Sequence, residues 1–308
     1  MDYLSEFTPE LYKKNLPLSD FCSMKTGGIA DIAFFPKNEG ELLHLVTVLK
    51  SVSVNFLILG NASNVLLPDD GLHCAVIFTT QMKTWHLCEQ NAPVKAQNDE
   101  KVLFAECGVS ITALSLSAAK HSLSGLEFAY GIPGTVGGAV FMNAGAYDGE
   151  IKNVVSAVTY LDTETLKPGI YTREQTGFAY RESAFSKNGG KIILGAYFVL
   201  KNGIECEIRA KANGFMDARR EKQPLEFPSC GSAFKRPEGH FAGKLIEEAH
   251  LKGSHVGDAY ISEKHAGFIV NKGNATSKDV LDLIKLVEVT VKEQSGITLE
   301  PEIKIIKE

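Results

Sequence analysis

The chain has 308 residues, 44% hydrophobic and 22% charged, with a net charge of −5. That length supports two or three domains with their own cores. The acidic balance argues against a nucleic-acid partner, because a phosphate backbone calls for a basic patch. No apolar run approaches the ~20 residues of a membrane span. Residues 1–16 lack the apolar centre of a signal peptide, so the expected place is the cytoplasm, without membrane insertion. Cys22, Cys74, Cys88, Cys107, Cys206 and Cys230 form no C-x-x-C pair and fit no zinc spacing. They read as reduced packing thiols, and no metal site is expected. Cys230 stands apart only because it lies two residues before Ser232.

In chain order, a β-prone run at 31–36 leads into a helical pattern at 39–50. Leu42, Leu43, Val46 and Leu49 share one face of it. A short buried strand at 55–59 completes a strand–helix–strand unit. Strands are predicted at 74–79, 84–88 and 102–107, a helix at 111–121, and strands at 154–161 and 191–200. The helical run 205–223 ends before Pro224, where a boundary is plausible. A helix at 242–250 precedes one that starts at Thr276-Ser277-Lys278-Asp279 and stops at Gly296. That last helix carries Val280, Leu283, Ile284, Val287 and Val291 at helical spacing. An alternating strand at 302–306 closes the chain, with Glu302 and Lys304 on one face and Ile303 and Ile305 on the other. The final third reads as a compact α+β domain.

Residues 131–147 read GIPGTVGGAVFMNAGAY, with five glycines in seventeen positions. Glycine admits positive φ and close approach of a ligand to the main chain. Bare N–H groups there suit a pyrophosphate, and Thr135 and Asn143 add side-chain hydrogen bonding. The run is neither G-x-x-x-x-G-K-[ST] nor a G-x-G-x-x-G after a strand, so P-loop and Rossmann sites are disfavoured. By itself it could be a packed, ligand-free turn. A second small-residue loop, Gly60-Asn61-Ala62-Ser63-Asn64, points instead to a dinucleotide held at both ends.

Seven strings occur in order along nearly the whole chain. They are Lys25–Asp31, Leu59–Leu66, Gly131–Tyr147, Tyr180-Arg181-Glu182-Ser183, Gly231–Lys235, Ser262–Phe268 and Leu299–Ile303. Together they resemble the UDP-N-acetylenolpyruvoylglucosamine reductase family, in its shorter form, since the chain between the later motifs is too short for that family's extra substrate-covering elements. One departure is Ala62, where the family usually has glycine.

The resemblance implies an α+β fold: a two-subdomain FAD-binding fold of the vanillyl-alcohol-oxidase (PCMH) type plus a C-terminal α+β substrate-binding domain. The expected divisions are 1–80, 81–203 and 204–308. FAD is the implied cofactor, held by Gly60, Asn61, Ala62, Ser63, Asn64, Gly131, Pro133, Gly134, Thr135, Gly137, Gly138, Asn143 and Arg220. NADPH is the implied reductant and a UDP-sugar enolpyruvyl ether the substrate, bound by Tyr180, Lys235 and Arg236. Arg181, Ser232 and Glu302 match the catalytic positions. Arg181 would grip the carboxylate and stabilise its growing charge. Ser232 would donate a proton, and Glu302 would act with Arg181. His265 receives no catalytic role, and a monomer is expected. Two other readings stay open: a flavin oxidase of the same superfamily acting on a small alcohol, and a non-catalytic sugar-nucleotide sensor.

Overall fold

The computed structural model describes residues 3–88 and 92–307. Contacts gather the chain into two compact units. The first takes the N-terminal residues to Lys13, Phe34–Asn61 and Val76–Asp217; the second takes Lys14–Ala33, Ala62–Ala75 and Ala218 onward. The expected strand–helix–strand is found as Ile29–Phe34, Glu39–Ser51 and Phe56–Leu59. No helix among the described residues is long and apolar enough to cross a membrane.

In the first unit, Glu39–Ser51 begins where the Asn38 side chain accepts from the Glu41 N–H at 2.9 Å. Its buried face is Leu42, Leu45, Val46 and Leu49. Leu43, expected on that face, is half-buried, because the i, i+3, i+4, i+7 stripe runs through Leu45 instead. A largely antiparallel sheet runs in the order Pro168–Thr172, Val155–Asp162, Lys191–Asn202, Glu100–Glu106, Trp85–Cys88, with Leu123–Ser124 also pairing to Lys191–Asn202. Four of these strands match the predicted runs. Pro168–Thr172 was not predicted, since Pro168 and Gly169 mask its strand character. It sits at the sheet edge, where a proline costs no ladder bond.

In the second unit, an antiparallel sheet runs in the order Ser229–Ser232, Phe268–Asn271, Ala259–Ile261, His255–Val256. None of these four strands was predicted, as each is only two to four residues long. The helix Ser277–Ser295 buries the five predicted apolar residues. Thr276 and Asp279 form its capping box, and Gly296 ends it at φ 75°. Both Asp69 carboxylate oxygens accept from its first turn, from Ser277 N and Lys278 N at 2.8 Å each. The closing strand shrinks from 302–306 to Lys304–Ile305, which pairs parallel with the equally short Val65–Leu66.

Candidate active site

The glycine-rich run contains a short helix, Val136–Phe141, that its glycine content hid from the sequence. Thr135 caps it, accepting from Gly138 N at 3.3 Å. Gly137 is required by contact: a Cβ there would lie 2.9 Å from the Cys107 Cβ. Gly60 packs just as tightly, since a Cβ would fall 2.3 Å from the Thr135 Oγ1. Asn61 Nδ2 donates to the Pro133 carbonyl at 2.9 Å. Gly60 and Asn61 are thus locked onto Pro133 and Thr135 within the first unit. Thr112 holds the start of the run, accepting from Gly131 N and donating to the Ile132 carbonyl.

Most N–H groups of the run are already used. Val136 N donates to Val109 O and Gly137 N to Cys107 O, both at 2.8 Å. Among the described residues no acceptor takes the N–H of Gly134, Thr135 or Asn61 in the first unit, or of Ala62, Ser63 or Asn64 in the second. Each of these stretches of free donors suits the oxygens of a phosphate group.

Ala62 is buried with φ 43°, the left-handed region that favours glycine. Alanine there carries strain of about 1–2 kcal/mol. Burial of its methyl group offsets about 0.8 kcal/mol, and its lower freedom in the unfolded chain offsets about 0.4–1 kcal/mol. Ala62→Gly should therefore shift the unfolding free energy by less than about 1 kcal/mol in urea titrations. A change beyond twice that, in either direction, would mean that the loop depends on this side chain in some other way. The departure at Ala62 is thus energetically tolerable.

Arg181 sits in the first unit at φ 56°. It is the second residue of a two-residue turn closed by reciprocal hydrogen bonds, Ala179 N to Glu182 O at 3.0 Å and Glu182 N to Ala179 O at 3.2 Å. A turn position with positive φ normally takes glycine. Its guanidinium donates to the Gly145 carbonyl at 3.1 Å and lies 5.0 Å from the Tyr180 ring centroid. Asn143 clamps this turn. Its Nδ2 donates to the Ala179 carbonyl (2.9 Å) and to Glu150 Oε2 (3.0 Å), and its Oδ1 accepts from Lys152 N (2.9 Å). Asn143 is fully buried, its amide serves the protein and its main-chain N–H donates to the Val140 carbonyl at 3.2 Å. Lys152 Nζ lies 2.6 Å from the same Glu150 oxygen. Burial by itself would raise the Glu150 pKa. Hydrogen bonds from Lys152 and Asn143, with the charges of Lys152 and Arg181, outweigh it and hold the carboxyl below its usual range. Glu150 was not picked out from the sequence. Its only signal was its place just after the glycine-rich run.

In the second unit, Ser232 ends the strand Ser229–Ser232, which carries one extra residue opposite Phe268–Val270. Gly231, at φ 75°, supplies the bulge, and Ser232 emerges exposed. The strand then continues beside residues 300–302. Glu302 N donates to Ala233 O and Lys235 N to Glu300 O, both at 2.8 Å. Asn64 Nδ2 donates to the Glu302 carbonyl at 3.2 Å, and Lys304 N to Asn64 O at 3.0 Å. One end of the second unit therefore assembles the loop at 62–64, Ser232, Lys235 and the half-buried Glu302. Lys235 Nζ rests 3.2 Å from Glu300 Oε2, an outer pair that an anion can displace.

The Arg236 guanidinium stacks 3.9 Å from the exposed Phe241 ring. Arg220 is exposed, and its carbonyl accepts from Lys264 Nζ at 2.7 Å. His265 accepts from Gly267 N at Nδ1. Burial, with the Lys252 charge adding to it, holds its pKa down, which suits a neutral packing imidazole. Cys230 donates to Val65 O at 3.2 Å, and burial, then the neighbouring Cys22, push its thiol up to about 12. It is an unreactive packing thiol, and the described cysteines are all free.

The fold and these loops define an FAD-dependent oxidoreductase: residues 30–165 match the family model described as FAD binding domain. Residues 223–306 match the model described as UDP-N-acetylenolpyruvoylglucosamine reductase, C-terminal domain. The chain is 46% identical over 299 residues to the UDP-N-acetylenolpyruvoylglucosamine reductase of Caldicellulosiruptor bescii, covering 96% of this chain and 91% of that protein. It is 46% identical over 294 residues to that of Lactobacillus johnsonii, covering 96% and 94%. The crystal structure of UDP-N-acetylenolpyruvylglucosamine reductase from Thermus caldophilus superposes with a TM-score of 0.77 at 32% identity, covering 96% of this chain and 98% of that one. The chain belongs to the UDP-N-acetylenolpyruvoylglucosamine reductase family. The expected fold class, FAD-binding fold plus C-terminal α+β domain, is borne out.

Proposed function

We propose that this protein reduces UDP-N-acetylglucosamine enolpyruvate to UDP-N-acetylmuramate, with NADPH as reductant, as a cytoplasmic monomer serving peptidoglycan precursor synthesis. In this reading 1–80 and 81–203 carry the cofactor and 204–308 the substrate. FAD, when bound, supplies the hydride carrier between NADPH and the alkene. Gly60 to Asn64 and the run from Gly131 to Gly138 hold its diphosphate through the free N–H groups.

Hydride arrival at the terminal alkene carbon makes a carboxylate-stabilised enolate. Arg181 opposes that growing charge with a permanently cationic, bidentate group. Glu302 works on the same carboxyl group. Ser232 gives its hydroxyl proton to the adjacent carbon, and Lys235, three residues on, favours the resulting alkoxide. Lys235, Arg236 and Tyr180 receive the nucleotide diphosphate, and Arg220 approaches the flavin.

The observation that most supports this reading is Arg181 itself: an arginine in a turn position that favours glycine, fastened to the glycine-rich run. Strain of this kind collects where function over-determines the backbone. The test is optical. Anaerobic NADPH should bleach the flavin of the purified protein, and the enolpyruvyl substrate should restore its colour. Rapid recovery with oxygen alone, indifferent to that substrate, points to an oxidase. A protein that stays colourless after FAD is added points to a sensor.

A further inference from the structure

Between the glycine-rich run and the Tyr180–Arg181 turn lies a compact polar cluster that the proposed chemistry does not use. Glu150 is its centre. It belongs to a two-stranded hairpin in which Glu150 pairs with Gly145, the residue whose carbonyl accepts from Arg181. One Glu150 oxygen receives both Lys152 Nζ and Asn143 Nδ2. The same Asn143 amide group reaches the Ala179 carbonyl, at the base of the Arg181 turn. Two routes therefore run from Glu150 to Arg181: from its main chain along the hairpin to the Gly145 carbonyl, and from its carboxylate through Asn143 to the turn.

An arginine that must stabilise a developing carboxylate charge needs its guanidinium held in one place before the reaction. A left-handed turn does not hold itself. It relaxes unless its surroundings over-determine it. A carboxylate suits the task here, because it accepts from an amide and an ammonium at once and carries the charge that balances Lys152. A glutamine keeps an acceptor oxygen for both donors but loses the charge, whereas a leucine keeps neither.

We propose that Glu150 is a positioning residue for Arg181, its carboxylate fixing the Asn143 amide that holds the Tyr180–Arg181 turn. This rests on the role given to Arg181 above. The consequence is specific to one half of the reaction. Flavin reduction by NADPH makes no demand on Arg181, whereas delivery to the enolpyruvyl substrate does.

The experiment is a double-mutant cycle of Glu150→Leu and Arg181→Lys, read by stopped-flow on the FAD-loaded protein. Glu150→Leu should leave flavin content and NADPH bleaching within about twofold of the parent. It should slow substrate-dependent reoxidation about 10- to 100-fold, the usual scale for a misplaced catalytic group. In the Arg181→Lys background the same change should cost less than about threefold, because the group being positioned is already altered. Equal losses in both backgrounds, or equal losses in both half-reactions, overturn the proposal. If Arg181→Lys by itself leaves reoxidation unchanged, the reading of Arg181 fails instead. If Glu150→Leu does not accumulate, Glu150→Asp keeps the charge but draws the carboxylate back by one methylene from the Asn143 amide. A reoxidation rate unchanged by Glu150→Asp, with Arg181→Lys impaired, also overturns it.

Discussion

Replacing Ser232 by alanine should leave anaerobic flavin bleaching by NADPH within about twofold of the parent and slow reoxidation by the enolpyruvyl substrate by about 10³, near the middle of the range for a general acid. The reason for so clean a split is local. Ser232 is exposed at the end of a bulged strand, so its hydroxyl contributes nothing to the core. The bulge geometry comes from Gly231, and the strand's main-chain contacts run through Ala233 to Gly267 and Glu302. An alanine at 232 keeps all of them. Only the proton source is removed, and only the half-reaction that protonates carbon needs it. Two results count against the assignment: equal slowing of both half-reactions, or a reoxidation rate within tenfold of the parent. Ser232→Cys, which retains an ionisable hydrogen, should recover part of the loss.

Replacing Asn143 by alanine carries the largest expected cost in stability, about 3–5 kcal/mol from three coupled losses. The side chain is fully buried, so no water replaces its bonds. The Ala179 carbonyl and the Lys152 N–H each lose their Asn143 partner, and Glu150 loses one of its two donors. The position also has φ 43°, which asparagine tolerates better than alanine. Urea unfolding followed by far-UV circular dichroism measures the change. A loss under about 1 kcal/mol would show that the cluster repacks around the gap, so that neither Asn143 nor its neighbours hold the Arg181 turn. Asn143→Asp should also destabilise, since it places a second carboxylate against Glu150 and removes both amide donors.

These two cases divide along the line between sequence and structure. Ser232 could be read from its string, because Gly231-Ser232-Ala233-Phe234-Lys235 is contiguous and its glycine marks a bulge. Asn143 could also be read, but as a cofactor ligand, because a glycine-rich run with an amide side chain looks like a ligand loop. Its three partners lie seven, nine and thirty-six residues away, and no local pattern points to them. Glu150 was invisible for the same reason. The small strands that shape the second unit were invisible too, since two to four residues carry no periodicity.

The amino-acid sequence by itself determined what short-range physics controls. It set the amphipathic helices and their caps, the glycines that let two loops approach each other, and the ordered strings that mark an FAD-dependent reductase family. The tertiary structure decided what depends on groups meeting from far along the chain. It brought Asn64 to the Glu302 carbonyl across 238 residues, and it turned part of the glycine-rich run into a short helix whose first N–H groups are already taken. It also held Arg181 in a left-handed turn through an asparagine and a glutamate. Hydrogen-bond satisfaction is a property of the folded interior. For that reason the residues proposed to bear the chemistry could be seen in the string, while those proposed to hold them in place could be seen only in the fold.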